Sequence, residues 1–220
     1  DNNTAVGFEA LKTEDAHGQN TAVGYQALKV LNVGATGFNV AVGDTAGVAM
    51  TSGTQNTIVG SIAGTALTTG ANNVVMGFQA LATEDAHGYN IAIGANALRT
   101  LNAGADANNI GIGFQAATAM TEGVQNVIIG NYAGDSLTHA DYNTAVGYRA
   151  LTSDVLGARS TAIGYNALQN QNFSSATDTY NTAVGMFAGT AITTGIENTI
   201  IGGLAGDALT DADYNGGLGH

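Results

Sequence analysis

A five-residue phrase recurs along the whole chain and constrains the fold more than any other feature of the sequence. Asn-Thr-Ala-Val-Gly or a close variant opens twelve complete repeats and one truncated repeat, at residues 3, 20, 39, 56, 73, 90, 109, 126, 143, 160, 181, 198 and 215. The spacing is 17 residues except for two intervals of 19 and one of 21. Self-similarity at a fixed period is the signature of a repeat architecture in which each unit stacks on the next.

The longer intervals come back at every fourth repeat and reveal a second, larger period. They define three blocks of four repeats, at residues 3–72, 73–142 and 143–214. The segment TEDAHG at Thr13–Gly18 returns at Thr83–Gly88, in the same repeat of the next block. Tandem duplication explains this pattern, and we predict one repeat domain over residues 1–220. Because the chain starts inside a repeat, we expect it to be a segment of a longer fibre.

Several columns of the repeat are nearly invariant when the opening residue is counted as position 0. Position 4 is Gly and position 7 is Ala in all twelve complete repeats, while position 3 is always aliphatic. The Gly column suits either a positive φ at a corner or a close backbone approach. Position 1 is Thr, Val or Ile, and position 2 is mostly small. Positions 1 to 3 therefore predict a short β-strand, with β-branched residues on one face and small residues on the other. A solenoid interior covers only one face, so we expect an identical chain to cover the second.

The rest of each repeat is compatible with two structures. Bulky apolar residues at positions 8 and 11 continue a 4, 7, 8, 11 spacing that matches one helical turn. Glycines at position 8 in several repeats disfavour a helix, and a second short strand is the alternative. The predicted fold is thus an all-β parallel β-roll or β-solenoid of about twelve rungs, as an intertwined or side-by-side homotrimer, and one helical turn per rung is the open alternative.

The Asn at position 0 has a specific structural role in such a stack. Side chains of identical asparagines in adjacent rungs lie about 4.8 Å apart and can hydrogen-bond along the stack. Asn also tolerates the left-handed conformation expected at a corner of the rung. Ser160 interrupts this column once, at the start of the longest repeat.

Composition excludes several classes of function. Asp and Glu outnumber Lys and Arg 17 to 5, a net charge of −12 that argues against nucleic acid and anionic membrane surfaces as partners. No apolar run approaches the about 18 residues of a membrane span, which predicts no membrane insertion. The chain has no Cys and no P-loop, GxSxG or HExxH phrase. His17 and His87 occupy equivalent turns and do not converge with different groups, so we expect no enzyme.

Three nonamers carry a resemblance to a known family. NTAVGYQAL at Asn20–Leu28, NTAVGYRAL at Asn143–Leu151 and STAIGYNAL at Ser160–Leu168 resemble the repeats of phage tail-fibre proteins, which are related to the head repeats of trimeric autotransporter adhesins. The resemblance covers the whole chain. It implies a homotrimeric, extracellular fibre segment on a virion tail fibre or bacterial cell surface, one that spaces or presents receptor-binding parts. Adhesin-head rungs are usually shorter than 17 residues, so their roll geometry is not carried over.

Acidic turns are the candidate metal sites, because Ca²⁺ takes six to eight oxygen ligands. The candidates are Glu14, Asp15, Glu84, Asp85, Asp211 and Asp213. No EF-hand loop or GGxGxD nonapeptide is present, however. The alternative interpretation is a solvated acidic edge that keeps the rod from aggregating. No other cofactor is expected.

Two further binding functions are compatible with the repeat columns. A surface glycan could stack on aromatic side chains, and the candidates are Tyr25, Tyr148 and Tyr165 at position 5 and Tyr89, Tyr142 and Tyr180 directly before the next repeat. Packing of these rings over the edges of the rungs is the alternative. Ice binding is a second possibility for a Thr-rich solenoid. Position 1 is Thr in only seven of the twelve repeats and position 3 never is, which counts against an ice-binding face.

Overall fold

The fold is a parallel β-solenoid in which each repeat forms one turn. The structure is a computed structural model that describes residues 2–15 and 18–219. It divides into two compact units, residues 1–108 and residues 109–220. The described residues contain strands and turns but no helix, which confirms the predicted all-β class.

The first unit carries one three-residue strand per turn. These strands are β1 (Thr4–Val6), β2 (Thr21–Val23), β3 (Val40–Val42), β4 (Thr57–Val59), β5 (Val74–Met76) and β6 (Ile91–Ile93). Consecutive strands pair in parallel and keep the repeat in register, so that Ala22 lies opposite Ala41 and Ala41 opposite Ile58. Every strand therefore occupies the same place in its turn, as the position 1 to 3 pattern predicts.

The second unit repeats this arrangement and adds a small second sheet. Its main strands are β7 (Ile110–Ile112), β8 (Val127–Ile129), β9 (Thr144–Val146), β11 (Thr161–Ile163), β13 (Thr182–Val184), β14 (Thr199–Ile201) and β15 (Gly216–Leu218). Two short strands, β10 (Gly157–Ala158) and β12 (Thr177–Asp178), pair in parallel beside them. Strand β12 belongs to the longest repeat and pairs with β10 of the 17-residue repeat before it.

The middle residue of a strand points into the solenoid and its two neighbours point outward. Ala41 is fully buried, whereas Val40 and Val42 on either side are 38% and 37% exposed. The small residues therefore line the interior and the β-branched residues face outward, because side chains alternate along a strand. In the turn of Ile58, Gly64 stands at position 8, and a Cβ placed there would lie 3.4 Å from Ile58 Cδ1. A large side chain on the strand thus fills the space that the glycine leaves.

The invariant glycine at position 4 is required by close contact between turns. Gly60 has a φ of +140°, and a Cβ added to it would lie 2.5 Å from the carbonyl oxygen of Gly77 in the next turn. A contact this short is not tolerated, and the conformation itself is one that residues with a Cβ rarely adopt. Both interpretations of the Gly column, a positive φ and a close backbone approach, are therefore correct at the same position.

The helical turn predicted for the rest of the repeat is absent from the described residues, whereas the alternative, a second short strand, is present in the two turns that carry β10 and β12. The segment directly after this glycine is neither helix nor strand. It is a run of tight turns in which Gln26 and Leu28 have positive φ values of 54° and 49°. Lys29 N donates to Gln26 O at 3.2 Å within the same repeat, while Leu28 N donates to Ala46 O of the next repeat at 3.0 Å. The bonds between turns explain this geometry, because they pair backbone groups that a helix would pair within itself.

Candidate functional site

A ladder of buried asparagines runs along the stacked turns, as the position 0 column predicts. Asn39 Oδ1 accepts hydrogen bonds from the backbone N–H of Asn56 at 3.0 Å and from its side-chain amide at 3.2 Å. Asn56 Nδ2 also donates to the carbonyl oxygen of Gly70 at 2.9 Å. The predicted left-handed corner, in contrast, falls one residue earlier: Gln55 has a φ of 60° and Asn56 does not have a positive φ. The ladder is confirmed, and it satisfies polar groups that burial would otherwise make costly.

Ser160 interrupts the ladder, and Gln171 bridges the gap. Ser160 N–H still donates to Asn143 Oδ1 at 2.8 Å. The side-chain amide of Gln171 donates to Ser160 Oγ at 2.8 Å and to Asp154 Oδ2 at 2.6 Å, and its oxygen accepts from Asn181 Nδ2 at 2.8 Å. A longer side chain from within the same turn thus takes over the contacts that a ladder asparagine makes elsewhere.

An acidic side chain braces the longer turn in every block. Glu14, Glu84 and Asp154 stand at position 11 of the first repeat of their blocks, and Glu84 and Asp154 are fully buried. Each accepts a hydrogen bond from a backbone N–H in the longer repeat that follows. The distances are 3.4 Å for Glu14 and Val33 N, 3.2 Å for Glu84 and Ala103 N, and 3.1 Å for Asp154 and Phe173 N. Asp154 is not among the candidates predicted from the sequence, although its spacing of 70 residues from Glu84 marks the equivalent position.

Of the calcium candidates, Glu84 and Asp85 lie together with His87. One ligand atom from each of the three lies within 4.8 Å of the others, and within the described residues no other three acidic or histidine side chains gather in this way. Glu84 Oε1 accepts from His87 N at 3.2 Å and lies 3.3 Å from His87 Nδ1, while Oε2 accepts from Ala103 N. Burial raises the pKa of the Glu84 carboxyl. Both oxygens of Glu84 thus already accept hydrogen bonds, which favours a structural role over a calcium site.

The remaining calcium candidates make separate local contacts. Asp213 Oδ1 accepts from Ile196 N at 2.8 Å, and Asp211 Oδ1 accepts from Thr210 Oγ1 at 3.1 Å. Asp15 is exposed. His17, which repeats the place of His87 in the first block, lies outside the described residues. Among the calcium candidates, the closest grouping of possible ligand atoms is therefore the one around Glu84.

Aromatic side chains form a continuous row on the second unit, which we call the aromatic ridge. It consists of Phe114, Tyr132, Tyr148, Tyr165 and Phe187, and consecutive ring centroids are 5.3, 6.1, 5.3 and 5.3 Å apart. Two of these are glycan candidates, and their rings stack on one another at an interplanar angle of 15°. The guanidinium of Arg149 lies 5.4 Å from the Tyr148 centroid. Each ring packs part of its surface against the neighbouring rings, and the ridge as a whole remains half exposed to solvent.

Other glycan candidates lie apart from the ridge. In the first unit Tyr25 stacks on Phe8 at 5.6 Å. Tyr89, Tyr142 and Tyr180 occupy the corner before position 0, each exposed and each with a positive φ. The guanidinium of Arg159 lies between two of them, 4.6 Å from the Tyr142 centroid and 5.8 Å from the Tyr180 centroid. Its Nε donates to Asp178 Oδ1 at 2.9 Å. This corner joins a cation and aromatic rings in a stacked surface cluster, a favourable arrangement.

Four consecutive turns of the second unit present the same two outward residues, which we call the outer strand face. Strands β9, β11, β13 and β14 each place Thr at position 1 and Val or Ile at position 3. Their pairing aligns the columns Thr144, Thr161, Thr182, Thr199 and Val146, Ile163, Val184, Ile201. The face carries no charged side chain.

Comparisons with known proteins find no match for the chain. No family model matches it, and neither a curated protein nor a solved structure does. Among the described residues, no helix has the length and apolar character that a crossing of a membrane requires.

Proposed function

We propose that this chain is a stiff structural segment of a homotrimeric surface fibre, on a phage tail fibre or a bacterial cell surface, that spaces or presents the parts that bind a receptor. The observation that supports this proposal is the aromatic ridge. Its rings form a continuous strip along five successive turns, with the guanidinium of Arg149 packed on two of them, and Tyr165 is 46% exposed. A long strip of this kind is typical of a surface that another chain covers.

The stiffness of the segment follows from its bonding. Parallel pairing between turns, the asparagine ladder and the bonds of the turn segment connect each repeat to its neighbours at three places around its circumference. A repeat cannot bend away from the next without breaking several of these bonds together. Association of three parallel chains along their ridges would stiffen the segment further.

Cysteine cross-linking tests the proposed ridge contact directly, since the chain has no native Cys. We expect Tyr165→Cys to yield a covalently linked pair of chains on mild oxidation, because the ridges of neighbouring chains face one another. Ser175→Cys, at an exposed position in the longest turn, is the matched control and is expected to stay uncoupled. Light scattering on the parent chain gives the number of chains. Equal coupling of the two variants, in a sample with the mass of one chain, would refute the proposal.

A further inference from the structure

The outer strand face has a regularity that the fibre function does not need. Its four threonines and four aliphatic residues form a grid, because the pairing of β9, β11, β13 and β14 is in register. Parallel strands repeat at about 4.8 Å across the grid, and alternate residues are about 6.6 Å apart along each strand. The spacing of about 4.8 Å between successive threonines is close to one repeat of oxygen atoms on a prism face of ice, whereas the spacing along each strand joins a threonine to an aliphatic residue.

The hydroxyl groups of this grid are directed at solvent. The backbone N–H groups of Thr144, Thr161, Thr182 and Thr199 donate to carbonyl oxygens of the next turn, but their side-chain hydroxyls make no hydrogen bond to the described residues of the chain. Threonines elsewhere on the solenoid differ, since Thr51, Thr68 and Thr193 bond to carbonyl oxygens of the next turn. The hydroxyls of the grid therefore depend on water for their hydrogen bonds.

A second copy of the chain, which the strand pattern predicts on the outward face, is a poor occupant for these four turns. Dry packing would remove water from four hydroxyls that have no partner in their own chain, and an unpaired buried hydroxyl is unfavourable. A charged ligand is a poor occupant as well, because the face offers no charge. Ordered water suits it better, since the methyl groups between the hydroxyls favour a caged water layer and the hydroxyls anchor that layer.

We infer that the outer strand face binds ice. The overall count of seven threonines in twelve repeats conceals this face, because four of the seven lie in consecutive turns. In the first unit Val40, Val74 and Ile91 stand in the threonine column and interrupt it. The ice-binding surface is therefore confined to residues 144–201.

Thermal hysteresis and inhibition of ice recrystallisation, measured on the full chain, test the inference. We expect the parent chain to show both activities and Thr161→Tyr to lose them, because a bulky ring in the centre of the grid holds the ice surface away. Thr194→Tyr is the matched control: it introduces the same ring at an exposed position outside the grid and should keep both activities. Circular dichroism confirms that each variant is folded.

The outcomes separate this inference from the fibre proposal. A parent chain without hysteresis overturns it, whatever the number of chains in solution. Equal loss in the two tyrosine variants also overturns it, because the activity would then not belong to this face. If Thr161→Tyr instead reduces the mass in light scattering while the parent lacks hysteresis, the face contacts another chain and not ice. Hysteresis from a single, unassociated chain would support ice binding and refute the trimer.

Discussion

Replacing Gly60 by Ala tests the close approach of successive turns. The added Cβ would lie 2.5 Å from Gly77 O and 2.7 Å from Gly77 C, which are backbone atoms and cannot rotate away. The φ of +140° adds strain of about 1–3 kcal/mol for a residue with a Cβ. Overpacking against a fixed neighbour adds about 1–3 kcal/mol. We therefore expect Gly60→Ala to lower the free energy of unfolding by about 2–6 kcal/mol.

Urea titration followed by circular dichroism measures this change. Gly34→Ala is the matched control in the same unit, since a Cβ there meets no heavy atom within 4 Å and the residue has no positive φ. A surface substitution without such features changes stability by about 0.5 kcal/mol or less. If the two variants unfold at the same urea concentration, the glycine column does not reflect the contact between turns.

Three further predictions concern the interior and its polar groups. Ala133→Leu should lower the free energy of unfolding by about 1–3 kcal/mol, because the buried site admits only a methyl group. Ala176→Leu, at an exposed position, is the control and should leave the thermal melting of the chain unchanged. Asn126→Ala should cost at least about 1–3 kcal/mol by leaving buried ladder groups unpaired, and Asn172→Ala, at an exposed position, is the control in the same urea assay. Burial raises the pKa of Glu84, so the stability that its neutral carboxyl contributes is present below about pH 4.5 and is lost as the pH rises through the folded-state pKa. The free energy of unfolding of the parent, measured against that of Glu84→Gln, should therefore fall with rising pH, and a constant difference would contradict this assignment.

The columns of the repeat predicted those features that depend on one residue type at one place. The strand at Thr57–Val59, the close approach at Gly60 and the ladder through Asn56 each require side-chain properties that few residues share. A column filled by Gly or Asn in turn after turn therefore has a direct structural interpretation.

The turn segment could not be predicted in the same way. Leu28 adopts a positive φ that its own preference disfavours, and hydrogen bonds from neighbouring turns hold it there. The apolar residues at positions 8 and 11 have the spacing of a helix in the sequence. They face the interior of the solenoid without forming one, which is why the spacing was misleading. The stacking of repeats, and not local preference, decides this conformation.

The braces of the longer turns were missed for a different reason. The sequence places Glu84 among the candidate metal ligands, whereas the segment around Asp154 does not resemble TEDAHG and marks no candidate there. Their shared role depends on a backbone N–H 19 residues further along, which only the stacked turns bring close. An acidic residue that is far from its partner in sequence gives no local signal of this kind.

The mass of the chain in solution tests the central claim most directly. Size-exclusion chromatography with multi-angle light scattering, at micromolar concentration, should give three times the 22.0 kDa of a single chain. The same mass over a tenfold dilution would establish a stable assembly of three chains. A species of 22.0 kDa that remains soluble and folded at that concentration would contradict the fibre account.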